Sequence, residues 1–306
     1  MGKTKSMKYQ VCGILADKLI TGTSKHELKN KAKTGDEEAK RMLDENIFSF
    51  TTLRTYEKEC TMFGQWCKDN FGVKYINGCK PLVPKYMEKC IEDGLSAWTI
   101  HLRASAICKL YGMSQKELHM PPLPSRKRED IKRSRNSQQV YSADKNTKEI
   151  ITFAKETGLR KHEIAMVRYE DICIKNGKYQ IFVRQGKGGK KRMAEIQSGT
   201  EDFISQLKNK GKPSDLIFPN VPKELSTHVY RAEYACAKYE EYARDVSVLP
   251  QSKRYVCKKE LRGTVYDKQA MAKVSKWLGH NRINVIATNY LYQLKQPQKG
   301  VGNYEN

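Results

Sequence analysis

Six side chains in the second half of the chain are of the types that chemistry at a phosphate group requires. In chain order they are Arg160, Lys187, His228, Arg231, His280 and Tyr290. A phenol hydroxyl is a nucleophile, an imidazole transfers protons, and guanidinium and ammonium groups bind phosphate oxygens. If the fold brings these side chains together, they supply a nucleophile, charge neutralisation and a proton for breaking a phosphodiester bond.

Local spacing supports two of these motifs. Arg160 follows Gly158 at the predicted start of a helix, and Glu163 lies at i+3, where its carboxylate can hold the guanidinium. His228 and Arg231 are also three residues apart, so a helix presents the imidazole and the guanidinium side by side. Taken singly, each pair is also common on ordinary helix surfaces.

The other motifs lie in predicted turns. Lys187 is flanked by glycines between two predicted strands, where a long cationic side chain can project beyond the sheet. Lys190 and Lys191 follow in the same turn and are its rivals. His280 comes after a Leu-Gly pair, and Tyr290 lies ten residues further on.

The motifs GLRxxE, GKGGKKR, HVYRAEYACAKY and LGH, with a tyrosine after the last, occur in this order between residues 157 and 290. Together they resemble the active-site motifs of the tyrosine recombinase (phage integrase) family, in particular the integrases of prokaryotic mobile elements. Members of that family place the nucleophilic tyrosine nine or ten residues after the last histidine. The resemblance therefore selects Tyr290 over its competitor Tyr292.

The second histidine motif is followed by a long gap. The 52 residues from His228 to His280 exceed the spacing of the shortest family members, which indicates an insertion at roughly 244–266. The basic residues of the insertion that we consider as phosphate contacts are Lys253, Arg254, Lys258, Lys259 and Arg262.

The resemblance implies a role in DNA cleavage for each residue. Tyr290 attacks the scissile phosphate, which gives a 3′-phosphotyrosyl link and a free 5′-hydroxyl. Arg160 and Arg231 hold the non-bridging oxygens, a task that suits planar bidentate donors. Lys187 protonates the leaving 5′ oxygen, and His280 donates a further hydrogen bond to the phosphate.

The same resemblance implies that His228 assists proton transfer to or from Tyr290. Glu163 is expected to position Arg160 without contacting the DNA itself. Because the phosphotyrosine retains the bond energy, a 5′-hydroxyl from another duplex can reseal the strand with no ATP, metal or other cofactor. The expected activity is integration or excision of a mobile element. The expected partners are double-stranded DNA, a homotetramer assembled on two DNA sites, and accessory directionality or DNA-bending factors.

Three other functions are compatible with parts of this pattern. A type IB topoisomerase uses a similar residue set to relax DNA as a monomer. A non-catalytic DNA-binding protein could keep the same fold without cleaving. A general RNA-binding module is disfavoured, because no RNP-like aromatic motif or other RNA module is apparent.

Composition favours a nucleic-acid partner. The chain has 57 Lys+Arg against 34 Asp+Glu, a formal net charge of +23, which is more than solubility requires. The nine cysteines are dispersed without a CxxC pair, and the six histidines form no cluster. This spacing predicts reduced thiols and no zinc site. No apolar run approaches the length of a membrane span, so we expect a cytoplasmic, nucleoid-associated protein.

The elements that must position these motifs form two predicted domains. The sequence predicts a polar, basic N-terminal extension (1–45), a helical core-binding domain (46–118), a basic proline-containing linker (119–141) and a catalytic domain (142–306). The resemblance implies an α+β, mainly helical fold. A small all-helical, SAM-like domain and a mixed α/β domain with a small antiparallel sheet would form a C-shaped clamp on DNA.

Helical periodicity supports the core-binding domain. Apolar residues recur on one helical face from Leu53 to Cys67, after Ser49 or Thr51 as the N-cap, and another predicted helix starts near Ser96 and stops at Gly112. In the catalytic domain, a helix is predicted over 159–167. Alternation over 179–183, a QGKGGK turn and a returning segment at 193–196 predict a hairpin.

The linker HMPPLPSRKREDIKRSRN contains three prolines, which exclude a continuous helix, and we expect its basic part to lie along a phosphate backbone. The predicted DNA-contacting residues of the linker and the hairpin turn are Arg126, Lys127, Arg128, Lys132, Arg133, Arg135, Lys190 and Lys191.

Overall fold

The computed structural model describes residues 5–127, 144–187 and 189–294. Two compact units divide the chain, at residues 1–132 and 133–306. The described residues are mainly helical, with two small antiparallel sheets. The predicted α+β, mainly helical fold class is confirmed.

The first unit contains six α-helices in its described part. They are α1 (Met7–Ala16), α2 (Lys25–Lys33), α3 (Glu37–Glu45), α4 (Phe50–Phe71), α5 (Val83–Glu92) and α6 (Ala97–Tyr111). The N-cap of α4 is Ser49, whose hydroxyl accepts a hydrogen bond from Thr52 N at 3.2 Å. α6 begins after Ser96 and ends at Gly112, which has the left-handed conformation, as the sequence predicts.

The apolar face of α1 belongs to the core of the first unit. Met7, Val11 and Leu15 are buried in the same cluster as Cys60 and Phe63 of α4. Burying this face stabilises α1 although it is short. The segment 1–45, predicted as an extension, therefore contributes a core helix to this unit.

The second unit combines helices with both sheets. Its helices are α7 (Lys145–Thr157), α8 (Lys161–Ile164), α9 (Glu201–Lys208), α10 (His228–Tyr242), α11 (Lys268–Trp277) and α12 (Asn284–Asn289). Its strands are β1 (Ile172–Lys175), β2 (Lys178–Val183), β3 (Arg192–Glu195), β4 (Arg254–Val256) and β5 (Val265–Asp267). Short 3₁₀ helices cover Tyr169–Asp171, Gln251–Lys253, Lys259–Leu261 and Leu291–Gln293.

The predicted hairpin is confirmed as β2 and β3. The strands pair antiparallel, with Ile181 opposite Ala194 and Val183 opposite Arg192. Ile181, Val183 and Ala194 are buried, so this face of the sheet packs on the core. β1 pairs with the other edge of β2 and was not predicted, because only Ile172 in β1 is fully buried and apolar alternation is weak there.

The helix predicted over 159–167 is much shorter in the structure, where α8 covers only Lys161–Ile164. Beyond it the backbone bonds to a distant segment. Ile217 N donates to Val167 O at 3.0 Å, and Tyr169 N donates to Asp215 O at 3.2 Å. These long-range bonds use the backbone groups that a longer helix would have paired internally.

A buried ion-pair network attaches the sheet to α10. Lys238 of α10 is fully buried, and its Nζ donates to Glu195 of β3 and to Glu241, both at 2.8 Å. The Tyr242 hydroxyl also donates to Glu195, at 2.6 Å. Because a buried charge is tolerated only when it is paired, this network fixes β3 against the helix that carries the HVYR motif.

The predicted insertion at 244–266 contains most of the small hairpin formed by β4 and β5, in which Tyr255 pairs with Tyr266. The Arg254 guanidinium donates to Leu249 O at 2.6 Å and to Ser247 O at 3.0 Å. Arg254, predicted as a phosphate contact, therefore stabilises the preceding loop. None of the helices in the described ranges is long and apolar enough to cross a membrane.

Candidate active site

The end of α11 and the end of α12 bring His280 and Tyr290 together. After α11, Gly279 adopts a left-handed φ of 70°, and His280 N donates to Ser275 O at 2.8 Å. This turn points the imidazole at the end of α12, where His280 Nε2 and Tyr290 Oη share a hydrogen bond of 3.0 Å. The tyrosine that the structure joins to His280 is the one that the family spacing selects.

Packing of α12 fixes the position of this tyrosine. Ile286 and Ala287 are fully buried in the core, and the Tyr290 side chain is largely enclosed. The backbone of Leu291, the next residue, is also fixed, because the Tyr266 hydroxyl donates to Leu291 O at 3.0 Å. Tyr292, the sequence-based competitor, lies in the following 3₁₀ helix.

Arg231 connects three parts of the site. Its side chain is buried in the second unit, where Nη1 donates to Gly158 O and Nη2 donates to Leu278 O at 3.0 Å. Burial lowers the pKa of this guanidinium, and the nearby Tyr290 hydroxyl opposes that effect. The carbonyl bonds orient the guanidinium between the GLR turn and the end of α11.

The predicted pair of Arg160 and Glu163 is present, and it is part of a larger cluster. The Glu163 carboxylate accepts hydrogen bonds from Arg160 N at 2.8 Å and from Arg160 Nη1 at 2.9 Å. It also accepts from Nη1 and Nη2 of Arg192, each at 2.9 Å. Burial alone would raise the pKa of Glu163, but Arg192 and Arg160 lower it to about 2. The carboxylate is therefore ionised at neutral pH.

Arg192 was not predicted as a site residue. Besides its bidentate pair with Glu163, its Nε donates to Trp277 O at 2.6 Å, which ties β3 to the end of α11. A Cβ on Gly186 would lie 2.8 Å from Arg192 Nη1, and one on Gly279 would lie 3.1 Å from Arg192 Cδ. Arg192 thus lies directly beneath the turn that precedes Lys187 and the turn that precedes the LGH histidine.

The sequence contained one signal for Arg192. Arg192 lies two and four residues before Ala194 and Ile196, which are buried. Alternate residues of a strand point to the same face, so Arg192 faces the core. A charged residue on such a face needs a buried partner. This signal is hard to recognise, because Arg192 ends the basic run GKGGKKR, in which every charged residue is expected to be exposed.

The electrostatics of His280 show how closely the cations surround it. Burial lowers its pKa first, and the positive charges of Arg231, Arg160, Arg192 and Lys187 lower it further, to about 4. The imidazole is therefore neutral at neutral pH. The predicted residues that the structure brings together here are Arg160, Glu163, Lys187, Arg231, His280 and Tyr290.

The remaining predicted site residues lie outside this cluster or at its edge. His228 is the exposed first residue of α10. Arg126 lies over the Trp98 ring at 5.1 Å in the first unit, where Lys127 follows it. Lys190 Nζ donates to Asn281 Oδ1 beside the site. The predicted contacts Arg128, Lys132, Arg133 and Arg135 lie outside the described residues, and Lys191 is exposed.

The fold is similar to two crystal structures of the site-specific recombinase XerH. The pre-cleavage complex with difH substrate has a TM-score of 0.51 and 15% sequence identity, and the similarity covers 94% of this chain and 93% of XerH. The post-cleavage complex with palindromic difH substrate has a TM-score of 0.50 and 14% identity, with coverage of 93% and 89%. At such low identity this similarity establishes the two-domain fold.

The family is established by sequence. The model of the phage integrase family matches residues 129–296, more than half of the chain, whereas no curated protein gives a significant match. The chain belongs to the phage integrase family. It is a site-specific tyrosine recombinase, an enzyme that breaks and joins DNA strands.

Proposed function

We propose that Tyr290 is the nucleophile of this recombinase and that it forms a 3′-phosphotyrosyl intermediate with DNA. The observation that carries the proposal is the 3.0 Å contact between the Tyr290 hydroxyl and His280 Nε2. This contact orients the phenol hydroxyl within the cationic pocket. Because burial and the surrounding cations lower the pKa of His280 to about 4, its imidazole is neutral at neutral pH and a weak base, so its proposed role is the hydrogen bond to the phosphate.

The cations around this pair supply charge neutralisation. In the proposed mechanism Arg160 and Arg231 hold the non-bridging oxygens of the scissile phosphate, because positioned guanidinium groups stabilise the charge of a phosphoryl transition state. The side chain of Arg160 is 16% exposed, so its guanidinium is accessible to a phosphate at the surface. Glu163 holds Arg160 from the buried side, and Arg192 in turn holds Glu163.

Lys187 and His228 complete the proposed set. Lys187 lies in the hairpin turn near His280, where an ammonium can protonate the departing 5′ oxygen. His228 lies three residues before Arg231 on α10 and is proposed to assist proton transfer when DNA is bound. No step of this mechanism is assigned to a metal or ATP.

We propose double-stranded DNA as the substrate. The XerH structures with the same fold are complexes with a recombination-site DNA, and this chain carries a net charge of +23. Exchanging strands between two duplexes needs more than one nucleophile, so a homotetramer on two sites is the proposed assembly. Integration or excision of a mobile element is the proposed outcome.

A nicked suicide substrate tests the nucleophile. The nick lets the short cleaved strand diffuse away, so the covalent intermediate accumulates and migrates as a protein–DNA adduct on a denaturing gel. The substrate carries the junction sequence of the element that encodes the chain. Wild-type protein should form the adduct, and Tyr290→Phe should form none, because it lacks only the attacking oxygen.

Tyr292→Phe is the matched control, since it removes the same hydroxyl two residues away. It should retain the adduct. An adduct that persists in Tyr290→Phe and disappears in Tyr292→Phe would refute the assignment of the nucleophile. Failure of the wild type to form any adduct would refute the covalent mechanism.

A further inference from the structure

A cationic cleft of about 590 Å³ lies beside the proposed active site. It is bounded by the outer face of the β1–β2–β3 sheet, by the end of α11 and by the loop after His280, and we name it the sheet–α11 cleft. Lys175, Lys191 and Lys276 line it, and none of its described lining residues is an aspartate or a glutamate. The cleft therefore attracts anions.

Three of the cleft's charges are not neutralised by the described part of the chain, whereas Arg192, which also lines the cleft, is paired with Glu163. Lys175, Lys191 and Lys276 form no ion pair with a described residue. Elsewhere in the same unit, by contrast, Lys178 and Lys238 are both paired with Glu241. Because neighbouring like charges repel one another, an anion bound between these three lysines would relieve that repulsion.

The lining also offers surfaces for nucleobases. The half-buried side chains of Trp277 and Met193 line the cleft, together with the polar side chain of Asn281. A cationic groove with an aromatic side chain is the usual arrangement for binding single-stranded nucleic acid, because bases stack while the phosphates contact lysines. The volume falls within the roughly 300–1,000 Å³ range of small-molecule pockets, which suits one or two nucleotides.

The position of the cleft indicates which strand it would bind. His280 lines the cleft and also contacts Tyr290, so the two sites share a wall. Lys187, proposed to protonate the leaving 5′ oxygen, lies in the same hairpin turn as Lys191. Gly186 N donates to Lys190 O at 2.8 Å and Lys190 lines the cleft, so a strand end released beside Lys187 would lie near the cleft.

We propose that the sheet–α11 cleft binds the unpaired nucleotides of the strand that ends in the free 5′-hydroxyl. This inference rests on the proposed covalent mechanism. The cleft would retain that strand end close to the phosphotyrosine, so that resealing or strand exchange begins from a bound strand.

The test measures binding of a fluorescein-labelled single-stranded deoxyoctanucleotide to the full chain by fluorescence anisotropy, over a series of salt concentrations. The cleft variant is Lys175→Ala, Lys191→Ala, Lys276→Ala. The control variant, Lys208→Ala, Lys212→Ala, Lys223→Ala, removes the same charge from exposed positions of the same unit outside the cleft lining.

Losing the contacts to the one or two phosphates of the bound nucleotides should reduce the slope of log Kobs against log salt by about 0.7–1.4, since each contact to a single strand contributes about 0.7. The control variant should keep the wild-type slope. In a second measurement, the preformed covalent complex of the cleft variant should reseal more slowly than that of wild type when a 5′-hydroxyl strand is added.

Equal slopes for the cleft and control variants would overturn the proposal. So would an equal loss of affinity for the octanucleotide and for a blunt duplex of the same length, because the lysines would then form a general phosphate surface. These outcomes differ from failure of the proposed mechanism, which would appear as absence of the wild-type adduct with the octanucleotide slopes unaffected.

Discussion

Replacing Glu163 by Gln tests whether one buried carboxylate holds the site together. Its side chain is fully buried and accepts four hydrogen bonds, two from Arg160 and two from Arg192. Gln keeps the shape and one carbonyl oxygen but removes the negative charge. Both guanidinium groups would then be left without their buried counter-charge, close to Arg231 and Lys187.

Two independent arguments give the loss of unfolding free energy expected for Glu163→Gln. Removing one partner of a buried ion pair typically costs about 3–5 kcal/mol of unfolding free energy. The pKa of Glu163, lowered from 4.5 to about 2, corresponds to about 3 kcal/mol at about 1.4 kcal/mol per unit. Because the folded pKa is depressed, this stabilisation is fully present above about pH 4.5 and is lost as the pH falls towards 2.

The assay is urea unfolding followed by the fluorescence of Trp277. The chain has three tryptophans, and Trp66→Phe with Trp98→Phe leaves Trp277 as the reporter of the second unit. Glu163→Gln in this background should lower the unfolding free energy by about 3–5 kcal/mol at pH 7 without changing the urea m-value.

The matched control is Glu233→Gln, which breaks an exposed pair with Lys155 on the same unit and should cost at most about 1 kcal/mol. A loss below about 1 kcal/mol in Glu163→Gln would refute the argument that this carboxylate anchors Arg160 and Arg192. Unchanged acid sensitivity of that variant between pH 4.5 and 2 would refute the reasoning from its pKa.

Two further predictions concern the turn at Gly158 and the pKa of His280. Gly158→Ala should destabilise the second unit by about 2–4 kcal/mol in urea unfolding, because its φ is +59° and a Cβ would lie 2.4 Å from Tyr234 Cδ1. Gly177→Ala, which has a φ of +72° and open space around the Cβ position, should cost only about 1–2 kcal/mol; equal losses would contradict the steric argument. The His280 imidazole, assigned in an NMR titration by its absence in His280→Gln, should have a midpoint near pH 4. Because this folded pKa is lowered, His280 should reduce the stability of the second unit as the pH falls from 6.5 to 4, and a midpoint near 6.5 would contradict the buried cationic pocket.

In the first unit, α4 and α6 could be predicted with their caps because their signals are local, whereas α2 and α3 lie in the segment predicted as an extension. Ser49 and Ser96 begin these helices and Gly112 ends α6, through hydrogen bonds and backbone conformations that involve only nearby residues. The β2–β3 hairpin was predictable for the same reason, since alternation and a glycine-rich turn are short-range patterns. The short α8 was not predictable, because Val167 bonds to a segment some fifty residues away.

By itself, the sequence determined which residue types are available for phosphate chemistry, their order along the chain and the family whose motifs they resemble. The tertiary structure decided which of them meet. Arg192 and Glu163 lie on separate elements, and only the packing of β3 against α8 and α11 makes them a bidentate pair. The hydrogen bond between His280 and Tyr290 likewise depends on the turn at Gly279 and on the burial of α12. Such contacts are set by long-range packing and burial, which composition and spacing along a chain do not encode locally.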